Sequence, residues 1–478
     1  MKAGFLLLFL GYLALLVAVG VVFSRRMKGI EDFFLASRRL SAPLLYFTVC
    51  ASWIGASSVL VTTDHAFRSG LRALWLVGLP AVLTTLIFGL FLAGPIHRLP
   101  GLTLADLAEV RYGRVFRHLA ALLIVWYMVL LAASQLVAVG SFLELFVGRS
   151  YLFCLAAGTA VVLLYITLGG FFMVAFTDRL HFFLLLCGLV ALFFWALGAS
   201  SPAAVLETAS RPGREGMLNM FSGWRESALV VLSFVPAWLV SPIIWQRIQA
   251  ARSPRTARRG LLASSATFLL VYALIVATGL LFLPLYGEAE PAHPLLAEAV
   301  GSRLPGVLAG LLFVAVSAAI LSTLDTAVNA GAFLLTRDVL RGFFRNAPGR
   351  REVVVGRVAT ILLGSLAFLV ATRFQSILKT LGLASEIMTE GLFLPGLAML
   401  FMKRKLPLAG LFSLALGGGF SLAGFAAASG IFSLRLPPWP HSVPWGLGLG
   451  LIGFLFGAAV ETVKRRRETA GSGSARVY

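Results

Sequence analysis

The stretch "AAILSTLDT", residues 318–326, places hydroxyls at Ser322, Thr323 and Thr326 and a carboxylate at Asp325 inside a long apolar run. On a helix, Ala319, Ser322, Asp325, Thr326 and Asn329 recur at i, i+3, i+4 spacing and share one face, with Thr323 one position round. A lone Ser or Thr there bonds back to the i−4 carbonyl or ties two helices together. Four neighbouring oxygen groups, one of them a carboxylate, suit a small hard cation. Such a site also needs carbonyl ligands, which require unwound backbone. Two stretches offer it. "FTVCASWIGASSVLV" (47–61) holds Gly55 amid small residues, and "LSFVPAWLVSPIIWQ" (232–246) holds Pro236 and Pro242, each lacking a backbone donor. In transporters built from inverted repeats, a pair of broken helices in corresponding places marks the binding site.

The elements that would position these residues are membrane helices. Hydrophobic residues make up 59% of the 478-residue chain and charged residues 13%, about half the charge of a soluble domain. The apolar runs are long enough to cross a bilayer as helices, which satisfy every backbone group internally. We read thirteen spans: 3–23, 43–63, 73–95, 118–147, 151–168, 180–198, 227–247, 260–285, 305–335, 357–372, 380–402, 407–430 and 443–463. Residues 1–463 then form a single transmembrane domain, and 464–478 a basic flexible tail suited to anionic headgroups. The net charge of +20 does not point to nucleic acid, because it is distributed by side. Alternating loops place 29 of the 40 Lys and Arg on one side, which the positive-inside rule makes cytoplasmic. The N-terminus is therefore expected outside and the C-terminus inside. Met1–Phe23 lacks a clear cleavage site and reads as a retained first span rather than a signal peptide.

Glu144, Asp178, Asp325, Glu386 and Glu390 are acidic residues within or at the edges of spans. A carboxylate at membrane depth is expensive and by default functional, although Glu144 and Asp178 lie near span ends, where side chains snorkel to water. Cys50, Cys154 and Cys187 show no metal-ligand spacing and read as packing residues. No transition-metal site and no catalytic constellation is evident, so the expectation is a protein that is not an enzyme.

Several loop signatures resemble those of the sodium:solute symporter family: "DFFLASRRLSAPLL" (32–45), "LTLADLAEVRYG" (102–113), "GGFFMVAFTD" (169–178), "QRIQAARSPRTARRG" (246–260), "AAILSTLDT" and "MKRKLPLAG" (402–410). The resemblance implies a LeuT-like core of two five-helix inverted repeats, spans 2–6 and 7–11, flanked by one N-terminal and two C-terminal helices. It implies uptake of a small polar organic solute across the plasma membrane, driven by sodium, with no other cofactor. Sodium would be held by the hydroxyls of Ser322 and Thr323 and the carbonyls of Ala319, Ala51 and Ile54. Asp178, Asp325 and Thr326 would form a second cation or proton site, with a structural pairing of Asp325 to Arg179 or another basic residue as the alternative. His181, standing where the family has Gln, is either a pH-sensing group at a gate or a hydrogen-bonded structural histidine. Trp53, Ser58, Trp238, Ser241, Glu386 and Glu390 are the expected solute-pocket residues, with Glu386 alternatively capping the helix near Lys379. Ser241-Pro242 stands where sugar-transporting relatives carry paired polar groups, so the pocket looks poor for a hexose. Proton coupling, or a transporter-like membrane sensor, are the alternatives. No obligate protein partner is evident.

Overall fold

The structure is a computed structural model and describes residues 2–24, 40–99, 103–287, 291, 293–340, 350–402, 404–431 and 433–474. Among these the protein is entirely helical apart from one isolated parallel bridge, Leu40 to Ala251. Residues 32–39 of the first loop signature and 341–349 of an arginine-rich loop lie outside the described residues.

Eleven helices are long and apolar enough to cross a membrane, and twelve if the bent pair Trp224–Leu239 and Pro242–Ala250 counts as one. The difference from thirteen arises at the second span. Its first half, Ala42–Trp53, has only 12 residues, and its second half runs on without a long loop into Ser57–His97. Ser57–His97 holds the rest of the second run and the whole of the third, separated by the 3-10 turn Gly70–Trp75.

Two boundaries differ from expectation for local reasons. The segment before the fourth span is helical, because Thr103 caps a helix from Leu104 by accepting from the Asp106 amide at 3.0 Å. That helix is continuous with the fourth span except at Gly113, whose φ of 85° turns the chain. The last helix, Val443–Ser474, carries on past residue 463 into the basic segment. A further long helix, Tyr151–Ala199, contains the fifth and sixth spans, Tyr151–Gly169 and Phe176–Ala199.

The ninth span, Gly306–Leu334, is the centre of the bundle. It packs against the first, fourth, fifth and sixth spans and against the first half of the second. Every residue from Ala315 to Leu334 is buried, so the polar face of 319–329 meets only protein. The Leu40–Ala251 bridge joins the start of the second span to the end of the seventh, with the Leu40 amide donating to the Ala250 carbonyl at 2.9 Å. The two broken spans are thereby tied at one end of the bundle.

Candidate functional site

The second span ends its first helix at Trp53, and Ile54 leaves helical geometry with ψ of 79°. In an unbroken helix the Gly55 amide would bond to the Ala51 carbonyl; here it bonds to Trp53 at 3.1 Å. The released Ala51 carbonyl accepts from the Ser322 hydroxyl at 2.8 Å, and Ser322 also reaches the Ala319 carbonyl at 3.0 Å. Thr323 lies 3.4 Å from the same Ala319 carbonyl. Ala51, Ile54, Ala319, Ser322 and Thr323 are all buried. Four of the five expected sodium ligands therefore share direct hydrogen bonds, and Ile54 is the residue at the break itself. Gly55 lets the two helices approach: a Cβ there would lie 2.5 Å from the Thr323 hydroxyl and 2.8 Å from Gln135 Oε1.

Gln135, on the fourth span, escapes a reading by motif. Its carbonyl oxygen accepts from the freed Ala56 amide at 3.0 Å. A signal was present, since a buried glutamine in "LLAASQLVAVG" needs partners in lipid.

The seventh span breaks at Val240 and Ser241, and Pro242 opens the second half, a position that suits proline because the first helical amides are unbonded anyway. Pro236 sits inside the first half without breaking it. Between the two breaks lies a cavity of about 50 Å³, lined by Ser57, Trp53, Tyr127, Gln135, Trp238 and Ser241, with Ser52 and Thr323 at its edge. The Trp53 and Trp238 rings meet edge to face at 5.1 Å. No charged side chain lines it among the described residues.

Ser58 is not in this cavity. Its hydroxyl pairs with Tyr272 at 2.7 Å, and Ser57 takes the cavity position. After the break the helix resumes with a π turn, Ser57–Val61, so its phase is not set by the first half. Glu386 and Glu390 are not there either. Leu381 is the eleventh-span residue that reaches the central cavity. Lys379, Leu383, Glu386 and Glu390, spaced four, three and four, occupy the opposite face and border a separate cavity. Glu386 accepts a hydrogen bond from Ser442, far from Lys379's helix-capping position.

Of the second expected set, Asp178 and Thr326 converge on Arg247, which the sequence places at the head of a basic loop. Arg247 is fully buried. Its guanidinium donates to Thr326 at 3.0 Å and to Ser52, and lies 4.0 Å from Asp178 Oδ2. Thr48 also donates to Asp178. Asp325 faces elsewhere: Tyr165 donates to its Oδ1, while Oδ2 is buried without a hydrogen-bond partner. Arg179 is exposed beside Phe176 and pairs with neither aspartate. His181 is buried against the Tyr12 ring at 6.0 Å with no hydrogen bond to either ring nitrogen, so it is not the hydrogen-bonded histidine expected.

An all-helical membrane bundle with two broken spans facing each other across a small, mostly apolar cavity with a few polar groups defines a secondary transporter of the inverted-repeat class. Over 95% of its length the chain matches a Na+-coupled sialic acid symporter structure with a TM-score of 0.78, at 19% identity and covering 97% of that chain. The sodium:solute symporter family model matches residues 33–417, and the chain belongs to that family. It is 26% identical over 404 residues to the sodium/proline symporter of Escherichia coli, covering 80% of this chain and 79% of that one. It is 25% identical over 446 residues to the sodium/glucose cotransporter of Vibrio parahaemolyticus, covering 83% and 79%. These relatives are transporters, and so is this protein; it is not an enzyme.

Proposed function

We propose that the protein carries a small, net-neutral polar solute into the cell with sodium, by alternating access around the central cavity. Sodium is held by the carbonyls of Ala51, Ile54 and Ala319 and the hydroxyls of Ser322 and Thr323. The observation that carries this reading is the Ser322 hydroxyl spanning the break, 2.8 Å from the Ala51 carbonyl and 3.0 Å from that of Ala319. A sodium ion between those oxygens replaces hydrogen bonds that otherwise join the second and ninth spans, so ion binding fixes their separation. Thr323 belongs to both the ion set and the cavity edge, which couples the two ligands through one side chain.

The cavity supports the solute class. Its polar groups are hydroxyls and one amide, set among two tryptophans and a tyrosine. They can hydrogen-bond a neutral or dipolar solute but offer no counter-charge. Relatives at nearly equal identity are named for proline and for glucose, so family membership leaves the solute to these side chains. The excess of Lys and Arg in alternate loops supports a cytoplasmic C-terminus and an outside N-terminus.

Arg247 serves as a fixed cation between Asp178 and Thr326, which leaves Asp325 as the residue able to take a second cation or a proton. Replacing Asp325 with Asn then changes the sodium-to-solute ratio in proteoliposomes; an unchanged ratio would remove Asp325 from coupling. The main test is the melting temperature of purified protein in sodium chloride against equimolar potassium chloride. A ligand bound only by the folded state stabilises it by about 2.7 kcal/mol at a hundredfold excess over Kd. We expect a sodium-specific rise that the Ser322→Ala/Thr323→Ala double variant loses. Equal melting in both salts, with uptake driven by a proton gradient, would replace sodium by protons.

A further inference from the structure

A cavity of about 460 Å³ lies apart from the central one. It lies between the eleventh and twelfth spans and the segment joining the twelfth to the thirteenth, at the end of the bundle opposite the arginine-rich loops. Its deep end holds two carboxylates. Glu390 is fully buried, and neither of its oxygens has a hydrogen-bond partner. Glu386 is 4% exposed and accepts one hydrogen bond, from Ser442. The walls are apolar: Leu383, Phe420, Pro438 and the Trp439 indole, whose own N–H is committed to Ser233 at 2.8 Å. Exposed Leu434 and Lys379 stand at the mouth.

Packing has kept room for the deeper acid. Gly446 of the thirteenth span faces it, and a Cβ on that glycine would collide with the Glu390 carboxyl. A carboxyl buried without donors is costly to ionise, so it holds a proton until a cation joins it and takes the proton's place. A bare ion does not need this cavity, since one water-sized particle takes about 30 Å³. The volume falls instead in the range of about 300–1,000 Å³ typical of organic-ligand sites.

We propose that this cavity is a second binding site, separate from the sodium and solute sites, for an amphipathic organic cation. The ammonium group meets Glu390 and Glu386 at the deep end, and the apolar portion lies along Trp439, Phe420 and Pro438. The Trp439 face adds cation–π attraction to the same charge. Because the eleventh span presents Leu381 to the central cavity and Glu386 to this one, an occupant here bears on the helix that lines the solute route.

The test uses the full-length protein in detergent, with phenethylammonium chloride as the probe and 2-phenylethanol as its neutral counterpart. The ammonium raises the melting temperature saturably and the alcohol does not. Glu390→Gln weakens that response about tenfold or more, as expected for losing a charge-assisted contact, and Glu386→Gln weakens it less. The rise produced by sodium chloride persists in both variants, which shows that they are folded and keeps this result separate from the Ser322 and Thr323 site. An equal response to the alcohol, or an undiminished ammonium response in Glu390→Gln, overturns the proposal. So does loss of the sodium response in Glu390→Gln with no ammonium effect in the wild type, which would make this an inorganic-cation site. The wild-type comparison of ammonium with alcohol decides the matter even where a variant fails to fold.

Discussion

The two broken spans are interrupted by different residues and repaired by different partners. At the second span the Gly55 amide returns to Trp53, but two freed groups go to other helices: Ala51's carbonyl to Ser322 of the ninth span, and Ala56's amide to Gln135 of the fourth. At the seventh span the repair is internal. The Ser241 amide returns to Trp238 at 3.1 Å, and the Leu239 carbonyl accepts from the Trp245 indole at 3.0 Å. A break satisfied by distant helices changes whenever those helices move, and a ligand can take over its hydrogen bonds. A break satisfied by its own segment is a rigid bend. The difference fits the proposed ion binding at the first and the shaping of the cavity, through Trp238 and Ser241, at the second.

The sharpest way to break this contrast is Gly55→Ala. The added methyl would sit 2.5 Å from the Thr323 hydroxyl and 2.9 Å from its Cβ, closer than real contacts allow. Either the second span retreats from the ninth or Thr323 leaves its place, and both separate the ion ligands. Overpacking of this kind costs about 1–3 kcal/mol, and where the site bears it, sodium affinity falls by up to about a hundredfold. Sodium-dependent uptake and the sodium-induced melting shift should both disappear. A variant that still melts higher in sodium would show that the close approach at Gly55 is not needed for the ion.

Gln135→Leu comes next. It keeps the size of the side chain but strands the buried Ala56 amide, at about 1–3 kcal/mol. We expect a lower melting temperature in potassium and sodium affinity reduced about tenfold, because the break loses the contact that holds Ile54 and Gly55 in place. Titration of the melting shift with sodium measures both. An unchanged sodium titration would reduce Gln135 to packing.

Gln135 also shows what the amino-acid sequence could and could not convey. Hydropathy locates the spans because each must cross the same apolar thickness. The adjacent hydroxyls of Ser322 and Thr323 stand out because they sit on one helical face. What periodicity cannot give is which neighbour a face meets. Glu386 and Glu390 share a face correctly, yet that face turns from the central cavity to the outer one. Ser57 rather than Ser58 enters the centre because the π turn resets the helix after Gly55. Arg247, counted with basic loop residues, is buried because Pro242 restarts the helix and carries it inward.

The smallest effect on sodium should come from Trp245→Phe, which removes the indole N–H that satisfies Leu239 and leaves a smaller ring. The phenyl ring fills most of the buried place, so the loss is one hydrogen bond and a small cavity, about 1–3 kcal/mol of stability. The seventh-span break is closed within its own segment, and the one polar link from its second half to the second and ninth spans, Arg247 to Ser52 and Thr326, keeps its hydrogen bonds, so little of that loss should reach Ser322 or Ala51. Melting in potassium should fall slightly while the sodium titration stays where it was. If Trp245→Phe instead weakens sodium as much as Gln135→Leu does, the two breaks act as one device, and the ion site extends to the seventh span.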